Sequence, residues 1–167
     1  MYAFECSLHA LPDSEVLASG ETLTDSCGQW PTLLIAQDQL ITPLPIVFDD
    51  VLNQLNTLPR LYAEPDGSFV WTSSQENIRW QVNGNLYERN DRVLFVELKG
   101  SCHASEFDQL LACFLQDEKA CVVQLTRPAV FVTPEIFRAH AGARGQAGDG
   151  ASPVSYTHLT LPTTHCV

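Results

Sequence analysis

No lysine or arginine precedes Arg60, although nine occur in the 167-residue chain. The same stretch carries Glu5, Asp13, Glu15, Glu21, Asp25, Asp38, Asp49 and Asp50, so most of the net charge of −11 lies in the N-terminal third. A phosphate backbone is repelled by such a field, which argues against a nucleic-acid partner. An acidic segment suits a basic protein partner, or simply keeps the chain in solution. Also missing is any apolar run of about 18 residues, the length that marks a bilayer span. The start, Met1-Tyr2-Ala3-Phe4-Glu5, lacks the basic segment that opens a secretory signal. Together these absences predict a cytoplasmic protein with no membrane association.

Motifs of several enzyme classes are absent too. The sequence contains no glycine-rich loop to cradle phosphate and no Gly-x-Ser-x-Gly elbow to present a nucleophile. The six cysteines, Cys6, Cys27, Cys102, Cys113, Cys121 and Cys166, form no Cys-x-x-Cys pair. The conceivable ligands Cys6, His9, Cys27, Cys102, His103 and Cys113 fit no compact metal spacing, so neither a metal nor another cofactor is expected. The cysteines read instead as small buried hydrophobes in a reducing compartment.

What is present is alternation broken by turn chemistry, strongest over residues 67–99. Arg60 to Glu64 and Ser68 to Trp71 read as strands around a Pro65-Asp66-Gly67 turn. Ile78, Trp80 and Val82 share one face of a further strand. Asn83-Gly84 then predicts a two-residue hairpin, because a type I′ turn needs positive φ at both central positions. Leu86-Tyr87 begins the return strand, Asn90-Asp91 is a second turn candidate, and Val93 to Leu98 is apolar on both faces until Glu97, as a central strand is.

Helices flank this ribbon. Asp49 or Asp50 is placed to cap a short helix to about Thr57, with Phe48 as a staple and Val51, Leu52 and Leu55 as its stripe. Phe107, Leu110, Leu111 and Phe114 recur at i, i+3, i+4 and i+7, which predicts an amphipathic helix over 103–115. Cys121 to Thr126 is another strand, so strand, helix, strand is compatible with a βαβ crossover to a last strand in parallel pairing. Thr133-Pro134-Glu135 opens a helix that is predicted to end near His140. The fold expected is therefore α+β: an antiparallel β-meander of four to five strands, with one main amphipathic helix packed on one face.

The flanks divide the chain further. Residues 1–47 read as an acidic arm or a small hairpin, residues 48–140 as the α+β domain, and the glycine-punctuated residues 141–153 as a flexible linker. Val154-Ser155-Tyr156-Thr157-His158-Leu159-Thr160-Leu161-Pro162-Thr163-Thr164 resembles a translated sequencing adaptor. Residues 154–167 are accordingly expected to be foreign, which leaves the natural C-terminus open.

Pro59-Arg60-Leu61-Tyr62-Ala63-Glu64-Pro65-Asp66-Gly67-Ser68-Phe69-Val70-Trp71, with Val96-Glu97-Leu98-Lys99-Gly100-Ser101-Cys102 and Phe107-Asp108-Gln109-Leu110-Leu111, is similar to a group of planctomycete-type bacterial proteins without assigned activity. The resemblance spans roughly residues 45–140. It implies a bacterial origin and no catalytic or binding residue.

Two functional expectations follow. The first is a non-enzymatic protein-interaction domain. It would use the exposed sheet face, with Trp71, Trp80 and Tyr87 as candidate ligand- or partner-contacting aromatics and Tyr62 and Phe95 near them, or the acidic N-terminal segment. The second is a small hydrolase or thiol enzyme centred on Cys102, His103 and Glu97, since a thiolate at a helix N-terminus is stabilised. Adjacent Cys and His side chains usually diverge, however, and no third orienting group is identifiable. Oligomeric state is left open.

Overall fold

The chain begins with a strand that is buried on both faces, although its residues alternate apolar and polar from Phe4 to Ala10. The computed structural model describes residues 1–12, 17–74 and 79–148. Eleven strands, in order, are β1 (Tyr2–Ala10), β2 (Ala18–Ser19), β3 (Leu23–Asp25), β4 (Gly28–Trp30), β5 (Leu33–Leu34), β6 (Leu61–Ala63), β7 (Ser68–Thr72), β8 (Gln81–Arg89), β9 (Arg92–Cys102), β10 (Cys121–Leu125) and β11 (Val130–Val132). Three α-helices are α1 (Phe48–Leu55), α2 (Ala104–Phe114) and α3 (Pro134–Gln146). Among the described residues nine strands form one antiparallel sheet in the order β2-β5-β11-β10-β1-β9-β8-β7-β6, and β3 with β4 forms a separate hairpin. The class is α+β as expected, but the sheet is larger than four to five strands. No helix among the described residues is long and apolar enough to cross a membrane.

The largest correction concerns residues 1–47. Their first segment is neither a free arm nor part of a small hairpin: β1 lies mid-sheet, paired with β9 from Tyr2↔Cys102 to His9↔Phe95 and with β10 from Cys6↔Leu125 to Ala10↔Cys121. Phe4, Cys6 and Leu8 are buried on one face, and Ala3, Ser7 and His9 are buried on the other. The expected crossover is corrected by the same strand. Both β9 and β10 run antiparallel to β1 and so parallel to each other, but β1 separates them and they do not pair. Nor is β10 the last strand, since β11 pairs with it.

The Asn83-Gly84 hairpin is also corrected. Both residues lie inside β8, and the chain reverses instead at Asn90-Asp91, with φ of 53° and 66° and Arg89 paired to Arg92. Two successive positive φ values suit a two-residue hairpin. Gly84 serves a different purpose. It stands opposite Phe69 on β7, and the Phe69 ring occupies the space that a Cβ at position 84 would take. Ile78, the first residue of the expected alternation, lies outside the described residues, as does the adaptor-like stretch 154–164. The turn at residues 65–67 joins β6 and β7 as the sequence indicates.

One face of the sheet carries the main core. Phe107, Leu110, Leu111 and Phe114 of α2 pack there, as the period predicts, with Val51 and Leu55 of α1 and Phe137 and Ala141 of α3. Each such large side chain contributes roughly 1.5–3 kcal/mol when fully buried. Val47, not Asp49 or Asp50, is the N-cap of α1; the two acids sit in its first turn, and Phe48 is already helical. His103 caps α2, and its backbone N–H donates to Glu106 Oε1 at 3.1 Å. In α3 the Thr133 hydroxyl accepts from Ile136 N at 3.2 Å, as its sequence suggests. The helix continues past His140 to Gln146, into the expected linker. Gly142 faces the Tyr2 ring, and a Cβ at Gly145 would strike the Met1 carbonyl. These glycines let α3 lie against the start of β1.

The β3–β4 hairpin is fastened to α3. Asp25 Oδ2 meets His140 Nε2 at 3.0 Å, and Trp30 Nε1 donates to Asp25 Oδ1 at 3.0 Å. Burial raises the Asp25 carboxyl, but hydrogen bonds from Trp30, His140 and Cys27 outweigh it and hold the group below its usual range.

Candidate functional site

Residues directly opposite on antiparallel strands project from the same face. The register therefore assembles two rows on the face away from the helices. Gln124, Ser7, Glu97 and Asn85 form one, and Val122, His9, Phe95 and Tyr87 the other. Toward β11 the second row is covered: Ile35, Val122 and Phe131 make a small separate core with Leu33 and Leu40. Toward β6 the face is open.

Three rings of the second row stack across neighbouring strands. Tyr87 lies 4.3 Å from Phe95 at 16°, Phe95 lies 5.1 Å from His9 at 20°, and Phe131 closes the far side of His9 edge-on at 6.0 Å. The Tyr87 hydroxyl donates to Glu97 Oε1 at 2.5 Å, which pushes the phenol's pKa up. His9 Nε2 and Ser7 Oγ are 2.8 Å apart, and each residue is 8% exposed. A cavity of about 420 Å³ lies over this pair, lined also by Gln37, Leu40, Phe95 and Glu97.

Burial lowers the His9 pKa to about 4, so the imidazole is neutral at pH 7. The unfolded chain protonates this group near pH 6.5, before the folded chain does. Stability from His9 is thus complete above about pH 6.5 and is lost as pH falls toward 4. With the cavity's access to water allowed for, the loss is about 2 kcal/mol. Denaturant titrations at pH 7 and pH 4.5 are expected to show a larger drop for the native chain than for His9→Phe by about that amount. Equal drops would mean that His9 is solvated.

The residues singled out for catalysis do not converge. Cys102 is fully buried in the helix-side core, and burial pushes its thiol pKa up, opposite to the activation expected at a helix N-terminus. His103 is the cap of α2, and Glu97 projects from the other face of the sheet, beside Tyr87. The aromatic set divides as well. Trp71 and Trp80 meet edge-to-face at 5.1 Å on the helix side, and Trp71 Nε1 donates to the Pro59 carbonyl at 2.9 Å. A cleft of about 260 Å³ touches both tryptophans and His103, but Tyr87 lies on the opposite face.

By sequence alone Ser7 carries no functional signal, and His9 is only a conceivable metal ligand. Their signal is the i, i+2 spacing, which means something only once Tyr2–Ala10 is known to be a strand. Among the described residues no three His, Cys, Asp or Glu side chains gather as a metal site. Comparison with family models, curated proteins and solved structures finds no match.

Proposed function

We propose that this chain is a non-enzymatic protein-interaction domain that engages its partner through the uncovered half of the sheet. One observation carries the reading. Tyr62, Val70 and Tyr87, exposed by 72%, 38% and 36%, stand on the same face of three neighbouring strands beside Asn83, Asn85 and Glu97. Exposed aromatics bordered by amides fit the anchor-and-rim arrangement of interfaces. The net charge of −11 favours a partner with a basic surface. The thiol-enzyme alternative finds less support, because Cys102 and Glu97 leave the sheet on opposite faces.

A photo-crosslinking residue at position 62, in the protein expressed in its native host, is expected to give one discrete adduct. The adduct disappears when Val70→Glu is added. The same residue at Gln109, exposed on α2 across the sheet, gives none. No adduct from position 62, or the same adduct from both positions, would remove the reading.

A further inference from the structure

The cavity over Ser7 and His9 has oppositely charged groups on its rim, and neither is neutralised there. Glu97 receives the Tyr87 hydroxyl and has no cation within ion-pair distance among the described residues. Its neighbour Lys99 turns to Glu5. Arg89 makes one long contact, Nη1 to the Ile41 carbonyl at 3.5 Å, and no ion pair among the described residues. Both side chains line the same cavity.

Between the charges the surface is neutral. Leu40, Ile41 and Leu94 supply an apolar wall, and Gln37 and Gln124 supply amides. Ser7 and His9 are each more than nine-tenths buried, and they line the cavity as hydrogen-bonding groups without charge. A volume of about 420 Å³ falls within the range of small-molecule sites.

We propose that this cavity binds a short zwitterionic peptide with apolar side chains, its ammonium on Glu97 and its carboxylate on Arg89. Each rim charge then gains an opposite partner, and the peptide groups meet the Ser7–His9 pair and the glutamines. Length follows from the strand. Glu97 pairs with Asn85, and Arg89 lies four residues further along β8, roughly 13 Å away at about 3.3 Å per residue. Both side chains line the one cavity, so their charged ends bound the space that a ligand would span. Two or three residues, roughly 7–10 Å when extended, fit within that space. A simple amine would leave Arg89 unmet, and a simple carboxylate would leave Glu97 unmet.

The cavity shares Glu97 with the border of the surface assigned to a protein partner but none of its exposed anchors Tyr62, Val70 and Tyr87. The dipeptide titration reads the cavity and the position-62 crosslink reads the other surface, so either reading stands if the other fails. The probe is leucyl-leucine, titrated into the full chain and followed by calorimetry and by the His9 imidazole NMR signals. Saturable binding with Kd of about 1 mM or tighter is expected. N-acetylation of the probe and Glu97→Gln should each weaken binding about tenfold or more, and the acetylated probe should not distinguish Glu97→Gln from the native chain. C-terminal amidation and Arg89→Gln should behave in the same paired way. Both substituted residues are exposed, and unchanged melting temperatures confirm folding. Absence of any His9 shift up to about 10 mM probe, or equal affinity for the acetylated dipeptide, overturns the proposal.

Discussion

Deletion of residues 1–12 is expected to leave a chain with no cooperative unfolding transition. β1 is hydrogen-bonded along both edges, to β9 and to β10. Without it those strands present two unpaired edges in the middle of the sheet, a state that folded proteins avoid. Phe4, Cys6 and Leu8 also leave the core. At roughly 1.5–3 kcal/mol for each large apolar side chain, that loss alone consumes much of the ~5–15 kcal/mol that holds a typical domain folded. The contacts of Tyr2 and Phe4 with Phe107, and of Phe4 with Phe137, disappear as well, so α2 and α3 lose a shared surface. Circular dichroism and scanning calorimetry are the measurements. An unchanged melting temperature would show that the segment is a dispensable arm, as its acidic flank first suggests, and that the central pairing is wrong.

The sequence revealed elements whose signal is local. The stripe Phe107, Leu110, Leu111, Phe114 places α2 correctly because its period is complete within eleven residues. The Pro65-Asp66-Gly67 turn places β6 and β7 for a similar reason. β1 carries a local signal as well, the apolar–polar alternation from Phe4 to Ala10. That pattern describes a strand with one wet face, and does not show that strands from far along the chain flank it and bury its polar Ser7 and His9. Those two polar residues meet each other and face a cavity, a fact set by register with Glu97 and Phe95 about 90 residues away. α3 outran its expected end because Gly142 and Gly145 resemble linker residues until Met1 and Tyr2 are found against them. The candidate catalytic group failed for a related reason. Glu97 and Cys102 are close in sequence, but the faces of a strand alternate.

Gly84→Val is expected to be the most damaging single substitution on β8, costing about 3 kcal/mol or more. The backbone at Gly84 is not in the left-handed region, unlike that at Gly100, so conformational strain is not the cause. The cost is steric. Phe69 is buried at 2% exposure, and its ring sits where the new Cβ must go, with Phe114 of α2 at 6.4 Å on its other side. A ring caught between a strand and a helix cannot step aside without moving one of them. Phe69→Leu alone should cost about 1 kcal/mol, yet it makes room at position 84. The double variant should therefore be more stable than the sum of the single costs implies, with a coupling of about 1–2 kcal/mol in a denaturant-measured cycle. Strict additivity would mean that Phe69 and Gly84 do not touch. It would also revive the reading of Asn83-Gly84 as a turn, where valine fails for lack of positive φ and Phe69 is a bystander.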